Sequence, residues 1–228
     1  MSGAIAIFVK TPGLSPVKTR LAATLGQQKA EEFHLTSARA VSSVVQKLSK
    51  LADVHCYYAV AEQSAINHSN WEDLPCLWQG EGGLGERMAS IYQRLLSQHE
   101  FVILVGADIP QMNSSELLNA STWLADTEPV RLAFAPSFDG GFWLIGGNCK
   151  IPQNIWTDVI YSKAKTGTQF FNKIKPLGNI KILSCLRDID EVQDLIPLRK
   201  ALLDLSEPLM AQRDLLQFLD TLPLWLKG

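Results

Sequence analysis

The sequence predicts an α/β fold, a three-layer α/β/α sandwich with a mostly parallel central sheet. Short apolar runs alternate along the chain with longer segments whose apolar residues recur every three or four positions. The connections between them are mostly short, and strands that alternate with helices in this way pair in parallel with helices on both faces. With 228 residues and 46% apolar content, the chain can bury such a core as one domain over residues 1–228.

The first half of the chain begins with a strand. Residues 4–9 form a continuous apolar run that is too short for a helix and is followed by Thr11-Pro12-Gly13, so we expect a strand buried on both faces. Apolar residues spaced by three and four predict helices over 27–50 and 86–98. Between these helices, strands are predicted over 54–61 and 76–78.

The same alternation continues in the second half. Residues 101–105 are the most apolar strand of the chain, and Ser114 to Glu116 begin a helix that extends to about Leu124. Further strands are predicted over 131–135, 142–145 and 180–183. Further helices are predicted over 168–175, 191–203 and 211–222.

The C-terminal helical segment, about residues 205–228, is too apolar to remain in water. Its stripe consists of Leu215, Phe218, Leu219, Leu222 and Trp225. We expect this stripe to dock on the body of the same chain, because docking within one chain costs no association entropy. A homodimer formed through this segment is the alternative.

Composition excludes several classes of protein. The 21 basic and 23 acidic residues give a net charge of −2, so we expect no nucleic-acid partner and no basic membrane anchor. The four cysteines form no Cys-x-x-Cys pair, which argues against a zinc ribbon or a dense disulfide framework. Neither a signal peptide nor an apolar run of about 18 residues is present, so we expect no membrane span and a cytoplasmic location.

The loop after the first strand concentrates positive charge. Lys10, Lys18 and Arg20 follow the carboxyl end of a buried strand, where α/β sheets place their ligands. A phosphate chain is the natural partner of three cations there, with Lys18 and Arg20 as catalytic residues and Lys10 as a substrate-binding residue. The alternative is a solvated basic loop.

A glycine-rich loop precedes the helix predicted over 86–98. Glycines in this loop permit close approach of a ligand to the backbone, and the helix start presents amide groups. We therefore predict that Gln79, Gly80 and Arg87 bind substrate. The alternatives are a flexible connection capped by Glu86 and, for Arg87, an ion pair with Glu81.

Two carboxylates follow or precede strands near these loops. Asp108 follows the strand over 101–105, where a hard oxygen ligand can hold Mg²⁺ or Mn²⁺ against a phosphate, and we predict that Asp108 is both a catalytic residue and a metal ligand. Asp139 lies in a turn with Gly140 and Gly141, and we predict a second metal ligand followed by two substrate-binding glycines. The alternatives are a helix or turn cap at Asp108 and a plain hairpin turn at Asp139.

Taken together, these motifs resemble a bacterial family of GT-A-type glycosyltransferase-like proteins of formerly unknown function. The resemblance spans about residues 4 to 196, including a late acidic segment over 188–195. It rests on residues 10–12, 17–21, 79–80, 84–88, 106–110 and 136–146. The chain is more distantly similar to 2-phospholactate guanylyltransferase and molybdenum-cofactor guanylyltransferase. The resemblance implies a nucleotide-diphospho-sugar transferase fold in which Asp108 holds a divalent metal.

The sequence as a whole predicts a metal-dependent transferase that uses a nucleotide-sugar or a nucleoside triphosphate. A glycosyltransferase-like enzyme is favoured by the resemblance, and a nucleotidyltransferase acting on a small phosphorylated acceptor is the alternative. A second alternative is a non-catalytic nucleotide-binding protein. It is motivated by the first loop, where this chain has Ser15, followed by Pro16, at the place of the glycine that the family usually has.

Overall fold

A computed structural model describes residues 2–126 and 128–222 as a sheet with helices on both faces. The strands are β1 (Gly3–Val9), β2 (Val54–Val60), β3 (Cys76–Trp78), β4 (Phe101–Gly106), β5 (Arg131–Pro136), β6 (Phe142–Gly147) and β7 (Asn179–Ile182). The helices are α1 (Thr19–Leu25), α2 (Gln27–Ser49), α3 (Leu84–Leu96), α4 (Ser114–Leu124), α5 (Gln153–Thr157), α6 (Thr166–Ile174), α7 (Leu195–Leu203) and α8 (Met210–Asp220).

The predicted mostly parallel sheet is confirmed. Its strand order is β3-β2-β1-β4-β6-β5-β7, and each neighbouring pair is parallel except the two pairs that include β6. Because β6 runs in the opposite direction, it begins at the edge where β1, β4 and β5 end. The loops after those three strands therefore meet at one edge of the sheet.

Alternation along β1 divides the core between the two faces of the sheet. Ile5 and Ile7 pack in a cluster that includes residues of α2 and α4. Ala4 and Ala6 face the opposite side, where α3, α5 and α6 contribute to a second cluster. β1 is thus buried on both faces, as its continuous apolar run predicts.

Helix α8 docks on the same chain. Leu215, Phe218, Leu219 and Leu222 join a third cluster with residues of α1, α2 and α7, among them the fully buried Phe33. The preferred interpretation of the C-terminal stripe is therefore confirmed as far as Leu222. Trp225, the last residue of that stripe, lies outside the described residues, and the homodimer stays a prediction.

Helices α1 and α5 were not predicted, and most of the other helix boundaries differ by one or a few residues from those that the periodicity predicts. Helix α3 begins at Leu84, because Gly83 acts as its N-cap and the Glu86 carboxylate accepts a hydrogen bond from the Gly83 amide at 2.5 Å. The helix predicted over 191–203 begins instead with a 3₁₀ turn, Val192–Asp194, before α7. Within 2–126 and 128–222, no helix is both long and apolar enough to cross a membrane.

Candidate functional site

A cavity of about 740 Å³ opens at the edge of the sheet where β1 and β4 end and β6 begins. It brings together most of the residues that the sequence predicts as functional. Those that line it are Lys10, Lys18, Arg20, Gln79, Arg87, Asp108, Asp139 and Gly141. Gly80 and Gly140 are not among the lining residues. The topology explains the convergence, since these segments follow strand ends that share one edge.

Lys18 is the centre of an ion cluster in this cavity. Its ammonium lies 2.9 Å from Asp108 Oδ1 and 3.4 Å from Asp190 Oδ1, and it donates a hydrogen bond to the Ile189 carbonyl at 2.5 Å. The Lys18 side chain is only 4% exposed, whereas those of Asp108 and Asp190 are 40% and 46% exposed. One buried cation therefore holds two carboxylates that remain open to the cavity.

The backbone of Lys18 has an uncommon conformation. With φ 46° and ψ 43°, Lys18 lies in the left-handed region and forms the N-cap of α1. For a residue with a Cβ atom this conformation costs about 1–2 kcal/mol. The buried ion cluster supplies a compensating interaction, because it fixes the far end of the same side chain.

The charge on Asp108 is stabilised by its surroundings. Burial alone would raise the pKa of Asp108, but the Lys18 ammonium, with smaller contributions from His34 and Lys10, outweighs that effect and keeps the pKa below its ordinary value. Asp108 is therefore an ionised carboxylate at neutral pH. It is suited to accept a hydrogen bond or to bind a cation.

Asp139 is held by its own turn. Its Oδ1 accepts hydrogen bonds from the Ser137 hydroxyl at 2.5 Å and from the Gly141 amide at 2.7 Å. This arrangement corresponds to the hairpin-turn alternative, although the exposed carboxylate also lines the cavity. The role of Asp139 as a metal ligand stays a prediction.

Asp188 also lines the cavity, although no motif in the sequence marks it by itself as a site residue. Burial and the negative charges of Asp139, Asp190 and Asp108 raise the pKa of Asp188 to about 7. Four carboxylates thus share one cavity, and at neutral pH one of them still holds a proton for part of the time. The only sequence signal for Asp188 and Asp190 is the late acidic segment noted in the family resemblance.

The raised pKa of Asp188 predicts a pH-dependent stability. An unfolded aspartate loses its proton near pH 4, so between about pH 4 and 7 the folded protein binds more protons and the free energy of unfolding falls as pH rises. We expect Asp188→Asn to raise the melting temperature at pH 8 by a few degrees and to change little at pH 4. Thermal unfolding at both pH values tests this, and a loss of stability at pH 8 would contradict it.

The side chains of Gln79 and Arg87 donate hydrogen bonds to backbone carbonyls near the glycine-rich loop, and a nucleoside contact at Gln79 and Gly80 stays a prediction. The buried Gln79 donates its side-chain amide to the carbonyls of Ala59 at 2.8 Å and Val9 at 3.3 Å, and so ties the ends of β1 and β2 together. Arg87 Nε donates to the Gly82 carbonyl at 2.9 Å. Both side chains stabilise the rim of the cavity.

Gly140 has a packing role. Its φ is +87°, and a Cβ atom added there would lie 2.1 Å from the Ala164 carbonyl oxygen. The Gly140 carbonyl also accepts a hydrogen bond from the Gly167 amide at 2.8 Å, which fixes the turn to the first residues of α6. Close approach of two backbones therefore requires glycine here.

The cavity also has an apolar side and a buried histidine. The apolar side is formed by Phe8, Leu84, Met88, Leu104, Phe142 and Ile145. His34 of α2 contacts the Lys10 carbonyl through Nε2 at 2.8 Å, and burial lowers the pKa of His34. No sequence signal marks these residues as functional, because on helices and strands they match ordinary core positions.

Comparisons with known proteins concern the family and the fold of this chain. A sequence model of the family described as "Uncharacterized protein conserved in bacteria (DUF2064)" matches residues 40–163. The chain is 26% identical to a protein of Desulfovibrio desulfuricans G20 provisionally named a nucleotide-diphospho-sugar transferase; the match covers 96% of each chain with a TM-score of 0.81. No protein of curated function matches the sequence.

Two more distant structures share the fold. One is the 4-diphosphocytidyl-2C-methyl-D-erythritol synthase of Anaerococcus prevotii, at 13% identity over 85% of this chain and 94% of that one, with a TM-score of 0.52. The other is a nucleotidyl transferase from a Methanothermobacter species, at 9% identity over 88% and 96%, with a TM-score of 0.52. At such low identity, these two likenesses concern the fold alone.

Proposed function

Since the chain belongs to the DUF2064 family of uncharacterised proteins conserved in bacteria, we propose its activity from the site itself: a metal-dependent transferase that uses a nucleotide-sugar. The observation that carries the proposal is the pair of half-exposed carboxylates, Asp108 and Asp190, held at the edge of the sheet beside exposed basic residues. A cation between such carboxylates and a diphosphate is the arrangement that transfer from a nucleotide requires.

The carboxylates fit a divalent cation of the Mg²⁺ or Mn²⁺ type. Such ions take oxygen ligands, and Mg²⁺ usually binds one or two carboxylates while substrate phosphates and water complete its shell. Within 2–126 and 128–222, no group of three or more His, Cys, Asp or Glu side chains is placed to hold a metal by itself. We therefore assign the metal ligands that the protein supplies to Asp108 and Asp190, with Asp139 as a further candidate. We expect tight binding of the metal to require the nucleotide, whose phosphates supply further ligands.

When bound, the metal would lower the energy of the negative charge that develops on the leaving nucleoside diphosphate. Arg20 and Lys10 would share this task, because both side chains are exposed and line the cavity. Arg20 is 67% exposed, and its carboxylate partners are no closer than 3.6 Å. Its guanidinium is therefore free to turn toward a phosphate.

We place the nucleoside beside the glycine-rich loop. Gln79 and Arg87 line the cavity there, next to the apolar side chains of Leu84 and Met88. The apolar surface would receive the flat face of a base, and the nearby backbone would read its polar edge. A cytoplasmic location is part of the proposal, because nucleotide-sugars are available there.

Glycosyl transfer is preferred over nucleotidyl transfer because the relative with 26% identity is provisionally named a nucleotide-diphospho-sugar transferase. The two reactions differ in the group released, which is a nucleoside diphosphate in the first and pyrophosphate in the second. Incubation with Mg²⁺, a panel of nucleotide-sugars and nucleoside triphosphates, and a mixture of acceptors, followed by phosphorus NMR, distinguishes them. Release of pyrophosphate would overturn the preference for glycosyl transfer.

The second candidate function is nucleotide binding without catalysis, and it is favoured by the backbone of the first loop. The Ser15 amide donates to the Thr11 carbonyl at 3.0 Å, so it is not available to a phosphate in this conformation, and Pro16 has no amide hydrogen. A nucleotide that raises the melting temperature without turnover in the same panel would favour this candidate. A ligand at 100 times its dissociation constant adds about 2.7 kcal/mol to the free energy of unfolding, which such a screen detects.

Removal of the Arg20 side chain should weaken the binding of a nucleotide more than the binding of the corresponding nucleoside. We expect Arg20→Ala to weaken a nucleoside diphosphate by about 1.5–3 kcal/mol and the bare nucleoside hardly at all, because only the phosphates meet the guanidinium. Calorimetric titration of both ligands measures the difference. Lys29→Ala, which removes an exposed lysine paired with Glu32 on α2, is the matched control. Equal losses for nucleotide and nucleoside would show that Arg20 acts through the structure of the loop.

A further inference from the structure

We propose that Lys18 is the resident counter-ion of the Asp108 and Asp190 pair, and that its ammonium opposes the binding of a divalent cation by those carboxylates rather than binding substrate phosphate. The inference rests on the proposed metal-dependent function. It assigns Lys18 a positioning role, because the ammonium would act on the reaction only through the two carboxylates.

The first support is the hydrogen-bonding capacity of the ammonium. A lysine ammonium has three N–H donors. Three protein oxygens surround it, namely the Ile189 carbonyl at 2.5 Å, Asp108 Oδ1 at 2.9 Å and Asp190 Oδ1 at 3.4 Å. With the side chain only 4% exposed, a phosphate would have to displace one of these partners to reach it.

The second support is the difference in exposure across the cluster. The ammonium is buried, whereas the two carboxylates are 40% and 46% exposed and line the cavity together with Arg20 and Lys10. Lys18 therefore lies behind the carboxylates, and substrate meets the carboxylates and the exposed cations first. The left-handed backbone at Lys18 is consistent with a side chain held to one place by its partners.

The third support is electrostatic. Two carboxylates that converge on one point repel each other, and a cation between them removes that repulsion. Lys18 supplies this cation in the metal-free protein and so keeps the pair assembled. The same positive charge lowers the affinity of the two carboxylates for Mg²⁺ or Mn²⁺. Binding of the metal would then depend on the additional oxygen ligands that the phosphates of a nucleotide supply.

Stability measurements test the counter-ion role without metal or nucleotide. Lys18→Met keeps the length of the side chain and removes its charge, and we expect the melting temperature to fall by roughly 4–8 °C. The double variant Lys18→Met with Asp190→Asn has the same net charge in the cluster as the wild type, so it should recover at least half of that loss. Arg20→Met is the matched control, since Arg20 also approaches Asp190 but is 67% exposed and should change the melting temperature little.

Measurement of metal affinity tests directly whether the Lys18 ammonium opposes binding of a divalent cation. With Mn²⁺ alone as the probe, followed by electron paramagnetic resonance, we expect the Lys18→Met variant to bind the ion on the order of tenfold more tightly than the wild type. If Lys18 served only to stabilise the fold, its replacement would not raise the affinity for Mn²⁺. If Lys18 instead bound substrate phosphate, Lys18→Met would also weaken the binding of a nucleoside diphosphate in the absence of metal.

The outcomes separate this inference from the proposed function. An unchanged melting temperature of Lys18→Met, no recovery in the double variant, or an unchanged Mn²⁺ affinity would each overturn the counter-ion role. If neither wild type nor variant binds Mn²⁺ with or without nucleotide, while the stability pattern holds, Lys18 remains the counter-ion and the metal dependence in the proposed function is wrong.

Discussion

Asparagine in place of Asp108 is expected to abolish most of the gain in nucleotide affinity that Mn²⁺ provides. The substitution removes a negative charge at the end of β4 without changing the size of the side chain, and it leaves Asp190 alone to hold the cation. Loss of a charge-assisted contact of this kind costs about 1.5–3 kcal/mol, which corresponds to roughly 10–100-fold in affinity. Calorimetric titration of a nucleoside diphosphate with and without Mn²⁺ gives this number directly.

Asp139→Asn is the control for this prediction, because Asp139 lines the same cavity but its Oδ1 is bound within its own turn. We expect this variant to lose less of the Mn²⁺ effect than Asp108→Asn. Asp108→Asn should remain folded, since Lys18 keeps the Asp190 carboxylate and the Ile189 carbonyl as partners. A full Mn²⁺ effect in a folded Asp108→Asn variant would remove Asp108 from the metal site.

Alanine in place of Gly140 is expected to cause the largest loss of stability among the substitutions considered. A positive φ of 87° costs an alanine about 1 kcal/mol, and the new Cβ atom would overlap the Ala164 carbonyl oxygen at 2.1 Å. Overpacking against backbone adds about 1–3 kcal/mol, so we expect a total loss of about 2–4 kcal/mol. Denaturant unfolding of the variant and the wild type measures it.

Comparison with Gly13→Ala separates the steric part of that loss from the cost of the positive φ. Gly13 has nearly the same φ, +85°, but nothing lies within 4 Å of the position of an added Cβ atom. We therefore expect a loss of only about 1 kcal/mol there. If Gly13→Ala and Gly140→Ala lost the same stability, backbone conformation alone would explain both, and the contact between the turn and the residues before α6 would carry no energetic weight.

Local patterns were sufficient to predict the architecture. The apolar run over residues 4–9 predicted a strand buried on both faces, and the spacing of three and four predicted the long helix that the structure places at Gln27–Ser49. Such patterns report the period of a single element, which neighbouring residues determine. The rule that loops after parallel strands meet at one edge then predicted that Arg20 and Asp108 would share a site.

The reversed direction of β6 was implied only by the hairpin-turn alternative at Asp139, because a short apolar run by itself carries no information about strand direction. It follows from the short turn between β5 and β6, which brings Asp139 to the same edge as Asp108. The sequence alone therefore determined the fold class, the loops that line the cavity and the residue types in them.

Only the tertiary structure decided what each side chain in the cavity contacts. Lys18 meets Asp190 across 172 positions of sequence, and the amide of Gln79 is used by the carbonyls of Val9 and Ala59. Gly140 is required by Ala164, on a segment that no local pattern connects to it. Contacts of this kind depend on the strand order, on the direction of each side chain and on which charged groups the fold buries next to each other. None of these can be read from residues that are neighbours in sequence.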